Sequence, residues 1–269
     1  FDEQAQKDVW GEDNSILVSS SYAPKAQVIK KDQGYLISGE WDWSSGCDHC
    51  EWVFLGGVID KEALGFGGFA TILIPRADYE IIDNWYVYGL KGTGSKRIVV
   101  KDAFVPEYRT HKLLDAHATI SPGNAINTGP LYKLPFGQVF TYSVTVAALG
   151  AYKGAIEAFI EYGKTRVSAF GVEAKTHPAT QKLIAEVITD IDEMWNSIDR
   201  NFGSLMTLVT NKEDLKVEDR VKYRYHASAI VDRCVAGASK LVKASGGASV
   251  YLGHEVMERY LDIMTIQVH

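Results

Sequence analysis

Hydrophobic and polar positions follow two different rhythms along this chain. Up to about residue 105, short apolar runs recur: Ile16-Leu17-Val18, Ala26 to Ile29, Tyr35-Leu36-Ile37, Trp52 to Leu55, Thr71 to Ile74, Tyr79 to Ile82 and Ile98-Val99-Val100. Turn formers separate them, among them Asp32-Gln33-Gly34, Gly56-Gly57, Gly65-Phe66-Gly67-Gly68 and Pro75-Arg76-Ala77-Asp78. Short runs of β-branched and aromatic residues at this spacing predict an antiparallel β barrel or sandwich. Ahead of them, residues 2–10 read as the closing turns of a helix. After Pro135 the period becomes helical. Leu183, Val187, Ile188, Ile191, Met194, Trp195, Ile198, Phe202 and Leu205 fall on one face, and further helices are predicted near 138–162, 217–244 and from 249 to the end. Four long helices argue a bundle, so the fold class is α+β. The domain reading is residues 1–12 as the remnant of an N-terminal helical domain, 13–110 as a β domain, 111–136 as a linker and 137–269 as a helical bundle.

Composition narrows the function. With 269 residues, 46% hydrophobic and 23% charged, the chain is an ordinary globular sequence rather than a disordered one. Twenty-eight basic residues against 34 acidic ones give a net charge of −6, which argues against nucleic acid or an anionic membrane as partner. No run approaches the ~18 consecutive apolar residues of a membrane span, and the first residues have no signal-peptide pattern. Three cysteines and no Asn-x-Ser/Thr site suit a reducing compartment, so a cytoplasmic location is expected. The start at Phe1 suggests that further sequence precedes it.

Several motifs are weaker than their spelling. Cys47-Asp48-His49-Cys50 is half a zinc site, and Cys234 supplies no second pair, so no metal is expected. His254-Glu255-Val256-Met257-Glu258 lacks the second imidazole of a zincin helix and reads as a solvated face. Gly89-Leu90-Lys91-Gly92-Thr93-Gly94-Ser95-Lys96 has the glycines of a phosphate loop without its final order, and reads as a turn into Ile98-Val99-Val100. No Gly-x-Ser-x-Gly elbow is present. More telling is the segment from Ser38 to Gly46, where Trp41 and Trp43 flank a bend ending in Ser44, Ser45 and Gly46. Indole faces beside hydroxyl and backbone donors suit a flat heterocycle with polar edges, although core packing of the tryptophans is an equal reading. Arg166, after the first bundle helix, is able to clamp a phosphate or to sit as a helix-end cation.

In order, the Gly39 to Gly46 segment, Gly89 to Ser95 running on to Asp102-Ala103-Phe104-Val105-Pro106-Glu107, the Arg166/Phe170-Gly171 segment and Ser245-Gly246-Gly247 resemble the acyl-CoA dehydrogenase fold across nearly the whole chain. Within it, residues 4–11, Ser19-Ser20-Ser21-Tyr22-Ala23-Pro24, Trp43 to His49 and the terminal His269 are similar to the oxygenase components of two-component flavin-dependent aromatic hydroxylases. That resemblance implies reduced FMN or FAD delivered by a separate flavin reductase, O2, a small phenolic substrate, a C4a-hydroperoxyflavin as the oxygenating species and a homotetramer. It places the acceptor for flavin N5–H on Ser45 beside Ser44, a substrate contact on Ser20, and acid–base chemistry on His269. Arg166, Gly246, Gly247, Phe170 and Gln181 are carried over as cofactor contacts. The family's Arg-Asp pair before the terminal histidine is Leu261-Asp262 here. The alternative on the same fold is an acyl-CoA dehydrogenase with bound FAD; Trp43-Ser44-Ser45-Gly46 in place of the dehydrogenases' Trp-Ile-Ser/Thr favours the oxygenase. A non-catalytic relative that has lost flavin is the third reading.

Overall fold

The computed structural model describes residues Phe1 to Val268 and divides into two compact units. The first, Phe1–Val87 with Lys91–Phe136, is called the β unit; the second, Tyr88–Leu90 with the chain from Gly137 on, the helical unit.

In the β unit, helix α1 (Glu3–Trp10) starts where the Asp2 carboxylate accepts the Gln4 N–H at 2.8 Å. Ala5 and Val9, one turn apart, bury against Leu73 of the sheet. The strands are β1 (Val18–Lys31), β2 (Gly34–Ser44), β3 (Trp52–Val58), β4 (Phe69–Pro75), β5 (Tyr79–Ile82), β6 (Lys96–Pro106) and β7 (Thr110–Lys112). They form one seven-stranded sheet in the order β5-β6-β2-β1-β3-β4-β7. The sheet is mixed, which corrects the antiparallel expectation: Val18 to Ser21 of β1 run parallel to Trp52 to Leu55 of β3. Val18, the last residue of the Ile16 run, and the Ala26 run belong to one long strand, which after a register shift between Ser21 and Ala26 still pairs Ala26 with Gly57 of β3 and from Gln27 to Lys31 runs antiparallel to β2. Its core is built from the inward positions of alternate residues: Ile37, Trp41, Leu55, Ile72, Ile74 and Ile98 are all fully buried. Each such side chain contributes roughly 1.5–3 kcal/mol of burial.

Short helices α2 (Leu113–Ala118) and α3 (Pro122–Ile126) occupy the segment expected to be a plain linker. Their brevity explains why no period showed.

The helical unit holds α4 (Phe136–Thr165), α5 (Pro178–Thr210), α6 (Val217–Ser245) and α7 (Glu255–Gln267). Pro178 opens α5, where its missing N–H costs nothing, and Gly246 at φ 70 closes α6. The buried stripe of α5 is Val187, Ile191, Met194, Ile198 and Leu205, joined by Asn201. Ile188 and Trp195, counted with that face in the sequence, are 42% and 38% exposed. Asn201 is buried because its amide donates to the Tyr142 hydroxyl at 2.6 Å, and that hydroxyl in turn donates to the Tyr223 carbonyl at 3.0 Å. Helix α4 is long and apolar enough by length and composition to cross a membrane, although polar and charged residues such as Gln138, Thr141, Lys153 and Glu157 interrupt its apolar run. Its Tyr142, Leu149, Tyr152, Ile156 and Phe159 are buried, so apolar residues on several faces serve packing as well. The last helix begins later than expected, since a 3-10 turn (Gly246–Val250) precedes α7.

Candidate functional site

The end of β2 carries a β-bulge that decides which side chains face out. Trp41 pairs with Ile98 and Ser44 with Lys96, so β2 spends one residue more than β6 between the two pairs. Trp43 absorbs the extra residue at φ 66, a left-handed conformation that costs a bulky residue roughly 1–2 kcal/mol. Surrounding side chains hold the bulge. The Asp42 carbonyl accepts the Ser21 hydroxyl at 2.7 Å. The Asp42 carboxylate accepts Arg97 Nε at 2.7 Å and Asn84 Nδ2 at 3.0 Å, and the Arg97 hydrogen bond above all lowers its pKa. Neither Asn84 nor Arg97 was singled out from the sequence as a site residue, because a bulge leaves no mark in the hydrophobic pattern.

The bulge separates the two tryptophans. Trp41 is fully buried and its indole N–H is shared between the carbonyls of Ala23 and Gly56, both at 3.0 Å. It is core, so the two-sided aromatic wall is corrected to one indole. Trp43, 66% exposed, is that indole. Beside it, Ser44 is fully buried and its hydroxyl donates to Ser19 at 3.0 Å, so its side chain is turned away from any ligand. Ser45 is exposed, and its Oγ lies 2.7 Å from Ser95 Oγ, itself 2.6 Å from Thr93 Oγ1. The Gly89 to Ser95 loop approaches because the Gly46 N–H donates to the Thr93 carbonyl at 2.8 Å. Ser20 lies on β1 opposite Phe54, and its hydroxyl bonds the Tyr22 phenol two residues on, along the same strand face. Burial raises the Tyr22 phenol above its ordinary value.

The cysteines of this region are structural. Cys50 Sγ donates to the Gly46 carbonyl at 3.3 Å, Cys47 Sγ faces the Gly94 carbonyl at 3.8 Å, and burial raises both thiols. Thiols held protonated in this way are poor ligands and poor nucleophiles.

In the helical unit, Arg166 donates from Nη1 to the Ala244 carbonyl, and its guanidinium lies 5.6 Å from the Tyr162 ring. A Cβ added at Gly246 would press on Arg166 Nη2, which would have to move, and the φ of 70 favours glycine there. Beside Arg166 is a cavity of about 590 Å³ lined by Ser168, His177, Thr180, Leu183, Lys240 and Lys243 among others. Among the described residues no carboxylate pairs with Arg166, Lys240 or Lys243. An open cavity with three unneutralised cations and two hydroxyls fits an anionic group such as a flavin phosphate. The lysines stand three residues apart on α6, just before Gly246, a spacing from which the sequence alone puts them on one face.

The remaining residues singled out in the sequence are dispersed. Phe170 is 96% exposed and Gln181 binds the Lys175 carbonyl at 3.1 Å; neither lines the cavity. Gly247 is exposed in the 3-10 turn after Gly246. His269 lies outside the described residues. His254 is not on a solvated face: both ring nitrogens are buried, and the ring stands edge-on to Tyr162 at 5.0 Å. At the Leu261-Asp262 departure, Asp262 accepts the Leu90 N–H at 2.6 Å and pairs with Arg259 at 3.7 Å, so an arginine three residues earlier takes the place beside the aspartate.

Comparison with known proteins identifies the family. The family model described as acyl-CoA dehydrogenase, C-terminal domain, matches residues 142–269. The flavin-dependent monooxygenase oxygenase subunit HsaA of Mycobacterium tuberculosis is 38% identical over 275 residues, covering 100% of this chain and 68% of that protein. The crystal structure of 3-HSA hydroxylase from Rhodococcus sp. RHA1 superposes with a TM-score of 0.92 at 35% identity, covering 100% of this chain and 70% of that one. The FADH(2)-dependent resorcinol hydroxylase oxygenase component of a Rhizobium strain is 29% identical over 279 residues, covering 100% and 68%. With a serine-lined bulge in one unit, a cationic cavity in the other and these relatives along its whole length, the chain belongs to the oxygenase subunits of flavin-dependent monooxygenases, on the acyl-CoA dehydrogenase-like fold.

Proposed function

We propose that the chain uses reduced FMN or FAD, supplied by a separate reductase, to hydroxylate a small phenol. The observation that carries this reading is the exposed Ser45 hydroxyl, presented by a strained bulge beside an exposed indole and backed by other hydroxyls. Relatives named as oxygenase components acting on 3-HSA and on resorcinol support it. When bound, reduced flavin supplies the two electrons with which O2 yields one oxygen atom to the substrate and one to water. The protein's part is to hold the ring, keep water from its reactive edge and position the phenol.

Ser45 Oγ, with Ser44 beside it, would accept the flavin N5–H, and the exposed Trp43 indole would pack against the ring. Ser20 meets the phenol. In the helical unit, taken by itself, Arg166 and the two lysines would neutralise a phosphate group, and the Gly246-Gly247 turn would let backbone approach a ribityl chain. Phe170 and Gln181 remain assigned to the cofactor by the family resemblance, and His269 to acid–base work on the phenol. Four helices arranged as a bundle and a homotetrameric assembly complete the proposal; the exposed Val250, Tyr251 and Leu252 offer apolar surface for assembly, which light scattering of the purified protein tests.

The test of function is coupled turnover: a flavin reductase, NADH, 18O-labelled O2 and a panel of phenols. Label in a catechol product supports the reading. Stoichiometric hydrogen peroxide with every phenol contradicts it.

A further inference from the structure

The Ser45 hydroxyl stands at one end of a row of three. Ser45 Oγ to Ser95 Oγ is 2.7 Å, and Ser95 Oγ to Thr93 Oγ1 is 2.6 Å, both strong O–H···O distances. Ser95 is 4% exposed, so bulk water does not replace these partners, while Ser45 is exposed. The spacing is fixed by backbone. Thr93 C=O accepts the Gly46 N–H, Gly94 turns at φ 50, and the Lys96 N–H donates back to the Gly94 carbonyl at 2.7 Å.

Each hydroxyl has one hydrogen to give. Ser95 has two oxygen neighbours and donates to only one of them. If it donates to Thr93, its lone pair is left for Ser45; the Ser45 hydrogen then turns inward and its outward face is purely an acceptor. If it donates to Ser45 instead, the Ser45 hydrogen is free to point outward, against any N–H brought to it. A serine without this row would rotate and offer its acceptor face only part of the time.

We propose that Ser95, oriented by Thr93, is a positioning residue that fixes the Ser45 hydroxyl as an acceptor for flavin N5–H. The inference rests on the assignment of Ser45 made above and extends it to two side chains that touch no ligand themselves.

The test is equilibrium binding under anaerobic conditions, with reduced FMN and reduced 5-deaza-FMN as the two probes. The second carries C–H where the first carries N5–H, and both carry the same phosphate, so contacts to phosphate cancel in the ratio of affinities. One hydrogen bond corresponds to a preference for reduced FMN of about fivefold in the parent protein. Ser45→Ala removes the preference. Ser95→Ala and Thr93→Val each lower it to about twofold or less, since Thr93→Val keeps shape but takes away the acceptor that orients Ser95. Ser95→Thr keeps the hydroxyl and restores the preference. In the double variant S45A/S95A the ratio equals that of Ser45→Ala alone, because the two act through one bond.

If Ser45→Ala abolishes the preference while Ser95→Ala and Thr93→Val keep it, the positioning role is wrong and the Ser45 assignment stands. If Ser45→Ala itself keeps the preference, both fall. Thermal unfolding of each variant identifies any that does not fold; Thr93→Val, at a half-buried site, decides the matter if Ser95→Ala is lost that way.

Discussion

In the β unit the polar groups at the end of β2 are neutral hydroxyls already paired with one another, Ser44 with Ser19 and Ser45 with Ser95. In the helical unit the polar groups around the cavity are the cations Arg166, Lys240 and Lys243, with no carboxylate paired to them among the described residues. The contrast fits the proposed assignment of each surface. A neutral ring edge offers single donors and acceptors, so recognition depends on direction and needs hydroxyls whose hydrogens are held by rigid neighbours. A phosphate offers charge from many directions, so recognition depends on field and tolerates long, mobile side chains. Strain is distributed accordingly. The bulged Trp43 at φ 66 is non-glycine and held by its surroundings, whereas the turn beside Arg166 uses Gly246 at φ 70 without that cost.

This comparison is sharpened most by removing charge. Arg166→Ala is expected to weaken reduced FMN binding by about tenfold to a hundredfold, the range for a charge-assisted contact, and to leave riboflavin binding nearly unchanged. The parent affinity for FMN should fall with added salt, and that of the variant less steeply; titration calorimetry at two salt concentrations checks both. Equal losses for FMN and riboflavin would break the division of labour. Next in size, Ser45→Ala should raise the hydrogen peroxide released per flavin oxidised by about tenfold while reduced FMN affinity falls by about fivefold. Peroxide assay beside product yield measures it. Trp43→Gly should raise folding stability by about 1 kcal/mol, since glycine adopts positive φ freely, and lower coupling, a trade read from denaturant melts and product yield together. A Trp43→Gly protein that is less stable would show that the indole packs more than it strains.

The smallest effect concerns pH. His111 is hydrogen-bonded to Ser121 at 2.7 Å and packs on Phe1 at 5.3 Å; burial lowers its pKa from the ordinary 6.5 to about 4. The native ring resists a proton that the unfolded chain accepts near pH 6.5. Stability from this site is therefore complete above pH 6.5 and is lost as pH falls toward 4. His111→Gln should flatten the fall in melting temperature over that window, as a pH series of thermal melts shows.

Much of this was legible in the sequence for a physical reason. Apolar period is set by burial, so the strands around Ile72, Ile98 and Leu55 and the long helix through Ile191 and Ile198 were all visible. The parallel pairing of β1 with β3 was not, because parallel and antiparallel neighbours bury the same alternate residues. At the site, Ser44, Ser45, Arg166 and Gly246 stood out through the motifs that carry the family resemblance. Ser95 and Thr93 lie in a segment read only as a turn, and Ser19 is one of three successive serines. Their partnership with residues far along the chain is a property of strand register and of the Gly46 to Thr93 hydrogen bond, which no local pattern encodes. Trp41 and Trp43 are alike in composition and two residues apart, yet the bulge between them sends one to the core and the other to solvent.

The central claim is tested most directly by mixing the reduced FMN complex of this protein, prepared without oxygen, with oxygenated buffer in a stopped-flow spectrometer. The account predicts a lag between loss of the reduced flavin absorbance and appearance of the oxidised band, shortened in Ser45→Ala, with a phenol present during the lag leaving as its hydroxylated product. Immediate appearance of oxidised flavin with no product, together with bleaching of bound FAD by an acyl-CoA, would contradict it and assign the fold to dehydrogenation instead.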